Sequence, residues 1–364
     1  MERKTGGRAV VGGIGERRAA GRNSEGRAAN EPGYVVGVDG GNSKTDYFLF
    51  DRAGEFVNHI RAGTCSHERF TDGYAGAYRE MDARIRELLD GAGVRMDQVD
   101  AAAFGLAGCD LPSQREQLDL IVARIGLSRF AVDNDSFLGI KAGTSRGIGI
   151  CSVNGSGAVT GGISPSGMRL QVGGIGSELA GDEGGGYYLG RKVVRAVYDG
   201  LYRLGPRTAM TEPVMALLGV PSRERFMEYA AEGAYKRTLP NTELMRVLFA
   251  AADACDEAAV ALLEHSARQM ALSTAGCIAN LDFAAEDEIE IVLSGSVWIK
   301  AESPLMMRRY MRDVSELVRQ RCRFVPLAVP PATGAVLWAL ELAHGAPVDA
   351  DMRSKVLQGV LARL

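Results

Sequence analysis

The chain has 364 residues, of which 46% are hydrophobic and 24% charged, so it is long enough for two domains that each bury a core. Its formal net charge of −3 gives no reason to expect a nucleic-acid partner. No apolar run reaches the roughly 18 residues that cross a bilayer, and the six scattered cysteines follow no secretory signal or C-x-x-C spacing. We therefore expect a cytoplasmic protein that binds neither nucleic acid nor membrane.

Residues 1–33 differ in composition from everything that follows. They are rich in Gly and charged residues and show no sustained apolar periodicity. Such a segment cannot bury enough surface to offset its chain entropy, so we predict a disordered tail. A basic arm that contacts a polyanion is the alternative. The first domain is then expected to begin at residue 34.

Short apolar runs alternate with helical patterns after the tail. Strands are predicted over 34–39, 45–50, 101–106 and 130–132, and helices over 74–88 and 113–125. A second unit opens like the first, with strands over 147–153 and 158–163. A strand, a glycine turn, a strand and a polar turn thus occur twice, which indicates an internal duplication of α/β type.

The rest of the chain is mainly helical. Val193, Val197 and Leu201 mark one helix, and residues 207–281 are predicted to form several more. Short strands follow at 290–293 and 324–329. A terminal helix over 333–343 is expected to start after a pair of prolines.

Two glycine-rich turns lie at the tips of the predicted hairpins. Gly has no Cβ, so consecutive amides in such turns can form a nest that binds phosphate oxygens. We predict that the two turns hold the β- and γ-phosphates of ATP from opposite domains. The candidate ATP-binding residues are Gly40, Gly41, Asn42, Ser43, Lys44 and Thr45 in the first turn, and Gly155, Ser156 and Gly157 in the second. Lys44 is alternatively a solvated surface residue.

Two carboxylates follow predicted strands close to these turns. Asp39 ends the first strand, and Asp135 follows the strand at 130–132. Mg²⁺ prefers oxygen ligands and keeps several waters, so we predict that both residues bind Mg²⁺ through water. The alternatives are a turn-forming Asp at residue 39 and a helix N-cap at residue 135.

Several motifs in order along the chain resemble the family that unites BadF/BadG/BcrA/BcrD-type ATPases with N-acetylglucosamine kinases, in the sugar kinase/Hsp70/actin superfamily. The first is Val36-Gly37-Val38-Asp39-Gly40-Gly41-Asn42-Ser43-Lys44-Thr45, similar to the family's first phosphate motif. The others are Gly105-Leu106-Ala107-Gly108-Cys109-Asp110, Asp133-Asn134-Asp135, Gly155-Ser156-Gly157-Ala158, Gly181-Asp182-Glu183-Gly184 and Leu293-Ser294-Gly295-Ser296-Val297.

The resemblance implies an α/β fold of two ribonuclease-H-like (actin-like ATPase) domains around a central cleft. The first domain would span 34–143 and be joined by a C-terminal helix at 333–345. The second would span 144–332 and carry a helical insertion. The resemblance also implies that Asp110 is the general base that takes a proton from the attacking hydroxyl. The alternative is that Asp110 caps the helix beginning near Ser113.

The resemblance further assigns residues to the nucleoside and to the sugar. Gly295 and Ser296 belong to the adenosine motif, and Gly174, Gly176 and Asp182 are expected to contact the sugar. Ser66 and His67 stand where animal N-acetylglucosamine kinases present Asn-His to the sugar. The departures from the family pattern, such as Ile175 in place of a Trp, lie mainly on the sugar side.

The function that follows is phosphorylation of an amino sugar by ATP and Mg²⁺, with N-acetylglucosamine or glucosamine as acceptor, by an enzyme expected to be a homodimer. One alternative is an ATPase activator that couples hydrolysis to electron transfer. Such activators usually carry an iron–sulfur cluster held by cysteines, and no paired cysteine motif is present. A non-catalytic sensor of ATP or sugar is the other alternative.

Overall fold

Two strand meanders of the same topology form the centre of the fold. The computed structural model describes residues 17–18, 32–301 and 303–364. The strands of the first sheet are β1 (Arg17–Arg18), β2 (Tyr34–Gly40), β3 (Lys44–Asp51), β4 (Phe56–Gly63), β5 (Val99–Leu106) and β6 (Arg129–Asp133). Those of the second sheet are β7 (Gly149–Asn154), β8 (Ala158–Ile163), β9 (Arg169–Gly173), β10 (Glu288–Ser294) and β11 (Arg321–Pro326).

The two sheets repeat one order of strands. The first sheet runs β1-β6-β5-β2-β3-β4 and the second β11-β10-β7-β8-β9. In each, three consecutive strands pair antiparallel, and two later strands pair in parallel beside the first of them. The α/β class and the predicted duplication are therefore confirmed.

The helices flank and separate these sheets. The first four are α1 (Tyr74–Asp90), α2 (Pro112–Ile125), α3 (Ser136–Gly143) and α4 (Gly185–Tyr202). The helices that follow are α5 (Thr211–Leu217), α6 (Phe226–Tyr235), α7 (Asn241–Asp253), α8 (Glu257–Asn280), α9 (Ser296–Ile299), α10 (Leu305–Leu317), α11 (Pro331–His344) and α12 (Ala350–Leu361). Within the described ranges, no helix combines the length and apolar character that crossing a membrane requires.

Apolar side chains are buried in three layers. The first lies between the first sheet and helices α1 and α2, where Met81, Ile85 and Leu88 follow the predicted helical spacing. The second lies between the second sheet and the helices of the insertion. The third lies between the sheets and is filled by α3 and α11. We call the part built on the first sheet, with α11, lobe one, and the part built on the second sheet lobe two; the exact domain boundaries stay a prediction.

The sequence patterns missed β4 and β9, which complete the two meanders. Both strands are only half-buried, and polar or charged residues such as His59, Arg61 and Gln171 interrupt their apolar pattern. The expectation that residues 333–343 form the last helix was wrong, because α12 follows α11. The predicted disordered tail concerns residues outside the described part of the chain, apart from Arg17–Arg18, which pair with β6, and residues 32–33.

Candidate functional site

Asp110 lies where the two lobes meet. It follows β5 of lobe one, and its Oδ1 accepts a hydrogen bond from Asn134 Nδ2 at 2.9 Å. A second donor, Gln171 Nε2, reaches the same oxygen from β9 of lobe two at 3.1 Å. Both bonds are to Oδ1, so Oδ2 is the oxygen left to take a proton.

Burial makes the charge of Asp110 costly. Burial raises the pKa of Asp110 to about 7, while the hydrogen bond from Gln171 acts in the opposite direction. The charges of Asp135, Glu68 and Asp182 raise the pKa further. A carboxyl group with a pKa near the working pH is suited to exchange a proton in a reaction.

The alternative role of Asp110 as a helix cap is wrong. The N-cap of α2 is Leu111, and Gln114 Oε1 accepts the backbone N–H groups of Asp110 and Leu111, each at 2.9 Å. The helix start is thus satisfied by Gln114, and the Asp110 carboxylate points to other partners.

Asp39 and Asp135 form a second pair of acidic groups. Burial raises the pKa of Asp39 to about 7, and the charge of Asp135 adds to this shift. Burial also raises the pKa of Asp135 to about 6. Asp135 occupies the N-cap position of α3, as the alternative predicted, but without a side-chain capping bond. Instead, Asn134 Oδ1 accepts the N–H of Ser136 at 2.9 Å.

These two carboxylates fit a hydrated divalent cation. Each ionised group raises the cost of ionising the other, and a bound cation would reduce that cost. Among the residues that the structure describes, His, Cys, Asp and Glu side chains nowhere gather in groups of three or more that would enclose a metal ion. Two carboxylates with water are nevertheless what Mg²⁺ commonly uses in phosphate sites.

The turn between β2 and β3 presents part of the predicted phosphate motif at the surface. Gly41 N donates to Lys44 O at 2.9 Å, and Asn42, Ser43 and Lys44 are exposed. Thr45 lies elsewhere: it is fully buried, and its hydroxyl accepts the N–H of Cys65 at 3.1 Å. The structure therefore does not place the Thr45 hydroxyl at the exposed tip where a phosphate would bind.

The turn between β7 and β8 is held by the start of α4. Gly186 N donates to Gly155 O at 2.8 Å, and Tyr187 N donates to Ser156 O at 3.0 Å. Gly185 has a φ of +80°, and an added Cβ would lie 2.6 Å from the Gly157 backbone. A glycine at this position therefore allows the helix and the turn to approach each other.

A cleft of about 760 Å³ opens beside this second turn. Three predicted ATP-binding residues, Gly155, Ser156 and Ser296, line it. Gly295 lies next to Gly155, since a Cβ built on Gly155 would be 3.7 Å from the Gly295 Cα. The sequence analysis missed the opposite wall, which includes Tyr187, Arg237, Asn241, Arg246, Phe249 and Lys300. Asn241, Arg246 and Phe249 lie in α7, and Arg237 and Lys300 follow the ends of α6 and α9, so no glycine motif marked these five. Tyr187 directly follows Gly184-Gly185-Gly186, and that run was the local signal for this part of the cleft.

Ser66 and His67 lie beside the loop that leads to Asp110. A Cβ on Gly108 would be 3.2 Å from both Ser66 Oγ and His67 Cε1. The His67 ring stacks on Tyr74 with centroids 4.2 Å apart, and burial lowers the pKa of His67. Ser66 Oγ and His67 Nδ1 are buried without a hydrogen-bond partner. Buried polar atoms of this kind are usually paired, so these two are open to a ligand.

Asp182 organises the loop that contains the other predicted sugar-binding residues. Its Oδ1 accepts the N–H of Gly174 at 2.8 Å, and its Oδ2 accepts those of Gly176 at 2.7 Å and Ser177 at 3.3 Å. Both carboxylate oxygens are thus bonded to backbone. Asp182 shapes the loop, and Gly174 brings it next to Asp110.

Glu183 faces away from that loop toward α8. Its Oε2 lies 2.7 Å from both His265 Nε2 and the Tyr188 hydroxyl. Despite partial burial, these hydrogen bonds lower the pKa of Glu183. The two acidic side chains of the Gly-Asp-Glu-Gly motif therefore have different partners: Asp182 binds backbone amides of its own loop, and Glu183 binds side chains of α4 and α8.

Two sheets of repeated, ribonuclease-H-like strand order place the protein in the actin-like ATPase fold class. The chain belongs to the BadF/BadG/BcrA/BcrD ATPase family, whose family model matches residues 36–339. The resemblance inferred from the motifs is therefore confirmed, as is the predicted fold.

Two curated relatives are similar over most of the chain. An N-acetylmuramic acid/N-acetylglucosamine kinase from Clostridium acetobutylicum is 26% identical over 249 residues, which are 66% of this chain and 78% of the relative. An N-acetyl-D-glucosamine kinase from Dictyostelium discoideum is 24% identical over 321 residues, which are 84% of this chain and 97% of the relative.

Solved structures share the fold at low sequence identity. A candidate N-acetylglucosamine kinase from Chromobacterium violaceum superposes with a TM-score of 0.57 at 20% identity, covering 84% of this chain and 98% of its own. A second, from Porphyromonas gingivalis, gives a TM-score of 0.52 at 17% identity, with 85% and 99% covered. At this identity the similarity supports the architecture alone.

Proposed function

We propose that the protein is a kinase that transfers the γ-phosphoryl group of ATP to a hydroxyl of an amino sugar, with N-acetylglucosamine or glucosamine as the acceptor. The observation that carries this proposal is the Asp110 carboxylate, held at Oδ1 by amides from both lobes. Two curated relatives, named as kinases of N-acetylated amino sugars, support the choice of acceptor class.

In the reaction, Asp110 takes the proton of the attacking sugar hydroxyl. The sugar oxygen forms a bond to the γ-phosphorus, the bond from that phosphorus to the bridging β–γ oxygen breaks, and ADP leaves. A positioned base contributes roughly 10²–10⁴ to such a rate. The rest of the catalysis comes from orienting the phosphates and compensating their charge.

The two glycine turns are assigned to the phosphates of ATP, and the 760 Å³ cleft beside Ser156 and Ser296 to its nucleoside. Asp39 and Asp135 would hold Mg²⁺ through water, which would compensate the phosphate charge. On the sugar side, Ser66 and His67 offer unpaired polar atoms next to the Gly108–Asp110 loop.

The electron-transfer alternative is not favoured. Cys65, Cys109, Cys151 and Cys277 are buried free thiols, and Cys255 and Cys322 are free as well. Colourless purified protein without iron and sulfide would agree with this assignment.

The test is ADP release in the presence of single sugars, measured for the wild type and for Asp110→Asn. We expect turnover with N-acetylglucosamine or glucosamine, and a loss of roughly 10²–10⁴ in the variant. The variant should melt no lower than the wild type, because Asn still presents an oxygen to Asn134 and Gln171. Full turnover by Asp110→Asn would rule out Asp110 as the base.

A sensor without catalytic activity predicts a different result in the same screen. It would bind a sugar in calorimetry and phosphorylate none of glucosamine, N-acetylglucosamine, N-acetylmuramate, glucose or N-acetylmannosamine. The homodimer and the cytoplasmic location stay predictions, and light scattering after size exclusion would test the first.

A further inference from the structure

Gln171 reaches the candidate base from the opposite lobe. Its Nε2 donates to Asp110 Oδ1 at 3.1 Å and to Gly173 O, also at 3.1 Å. Both partners are acceptors, so the amide must present its nitrogen to them, and both N–H groups are used. The orientation of the Gln171 amide is therefore determined by its hydrogen bonds.

We propose that Gln171 is a positioning residue for the phosphoryl transfer: when the lobes are together it holds Asp110 by Oδ1 from lobe two, which fixes the carboxylate and leaves Oδ2 to take the proton. This inference rests on the proposed function, in which Asp110 is the base. Asn134, the other donor, comes from lobe one and stays with Asp110 whatever the lobes do.

The backbone of lobe two leaves room for Gln171 to reach Asp110. Gly174 has a φ of +102°, and a Cβ added to it would lie 2.7 Å from Gln171 Nε2 and 2.8 Å from Asp110 Oδ1. Asp182 holds the same glycine through its N–H. Glycine at 174 thus allows the loop to pass beside the contact between Gln171 and Asp110 without pushing them apart.

Because of the charges around Asp110, loss of its hydrogen bond from Gln171 should change the pKa of Asp110. Asp135, Glu68 and Asp182 all disfavour the ionised form of Asp110, as does burial, and Cys109 beside it is a buried, neutral thiol. The Gln171 amide acts against these groups by donating to the carboxylate. Without it, the pKa of Asp110 should rise further above its present value of about 7.

Kinetics over a range of pH test the role in catalysis. In Gln171→Met, which keeps the side-chain length and removes the donor, the acidic limb of kcat/KM for the sugar should move up by about one pH unit. That shift lowers the rate at pH 7 about five-fold and leaves the rate at pH 9 nearly unchanged. Gln358→Met, at an exposed position of α12, should leave the profile where it is.

A second measurement needs no turnover. The pKa of Asp110 is about 7 in the folded protein and 3.8 ordinarily, so its protonated form stabilises the fold below pH 3.8, and this contribution is lost as pH rises through 7. Asn at position 110 cannot ionise, so Asp110→Asn does not lose this stability as the pH rises. Its gain in melting temperature over the wild type should therefore grow from pH 4 to pH 7. When the wild type and Asp110→Asn both also carry Gln171→Met, the difference in melting temperature between them should keep growing to a pH about one unit higher.

The outcomes separate the two proposals. We call the pH at which half of the growth in the melting-temperature difference is reached the stability midpoint. If neither the pH profile of kcat/KM nor this midpoint shifts, the role of Gln171 is overturned. If the wild type phosphorylates no sugar, the proposed function fails, and the stability midpoint alone decides whether Gln171 holds the charged Asp110. A shifted midpoint with an unshifted profile refutes the positioning role and leaves only a structural contact.

Discussion

Acidic side chains at this site differ in what their two oxygens bind. Asp182 has both carboxylate oxygens bonded to the amides of Gly174, Gly176 and Ser177. A residue that resemblance alone assigns to the sugar thus acts on the loop that would meet the sugar. Asp110 differs, because one of its oxygens is left for chemistry.

Asp182→Asn should weaken sugar binding more than ATP binding. In either orientation the NH₂ of the new amide would face at least one backbone N–H that the carboxylate accepted, and leaving a buried donor unpaired costs roughly 1–3 kcal/mol. We expect the KM for the sugar to rise several-fold, while the KM for ATP stays close to that of the wild type. Steady-state kinetics with each substrate varied in turn provide the measurement.

The matched control is Glu178→Gln, because the Glu178 side chain is about half exposed on the same segment and its nearest charge, Lys192, is 3.9 Å away. That variant should keep both KM values. If Asp182→Asn melts at a lower temperature but keeps its KM for the sugar, the loop has no part in acceptor binding.

At the scale of elements, α4 and the second glycine turn approach each other closely in the proposed ATP site. Gly185 opens α4 with a positive φ, and its amide donates to Asn154 Oδ1 at 2.7 Å. The helix can therefore lie directly on the Gly157 backbone. Any side chain at 185 must push the turn outward.

Gly185→Ala should therefore raise the KM for ATP several-fold or more and lower stability by about 1–2 kcal/mol from the left-handed backbone alone. Gly276→Ala is the control, since an added Cβ within α8 meets no atom within 4 Å. That change should be neutral or slightly stabilising, because Ala favours helix over Gly. Unchanged nucleotide affinity in Gly185→Ala, measured by calorimetry, would show that this turn does not bind the phosphates of ATP.

How far the sequence predicts this molecule depends on whether a feature is local. The turns at Gly40 and Gly155, and the helix marked by Met81 and Ile85, were predictable because spacing and glycine content are properties of short segments. The half-buried β9 was missed because polar residues such as Gln171 interrupt its apolar pattern.

Contacts between residues far apart in the chain are even harder to predict from the sequence. Asp110 and Gln171 are 61 residues apart, and although Asp110 ends a motif, nothing in either stretch of sequence indicates that the two are in contact. Arg353 of α12 donates to the carbonyls of Lys141, Ala142 and Thr144, at the end of α3, from more than 200 residues away. No pattern within either segment indicates that pairing, which depends on how the lobes fold together.

For the whole molecule, β9 is the strand that joins the lobes through side chains. Two residues before Gln171, Arg169 donates to the buried Asp133 carboxylate of lobe one at 2.9 Å. Its guanidinium also lies 4.6 Å from the centre of the Trp338 ring on α11. Arg115 supplies a second contact to Asp133, at 3.1 Å, from within lobe one. A relative movement of the lobes must therefore break the Arg169 contact and can keep the Arg115 contact.

Arg169→Met should weaken the contact between the two lobes. Asp133 would keep Arg115 and lose the partner from lobe two, at a cost of roughly 1.5–3 kcal/mol for a hydrogen bond to a charged group. We expect a lower melting temperature and, in small-angle scattering without ligands, a larger radius of gyration than the wild type. ATP and sugar together should reduce that radius, because substrates bound between two lobes favour closure. Arg319→Met, at an exposed arginine just after α10, serves as the control and should change neither quantity. If both variants scatter alike with and without ligands, the bridge between Arg169 and Asp133 does not control lobe closure.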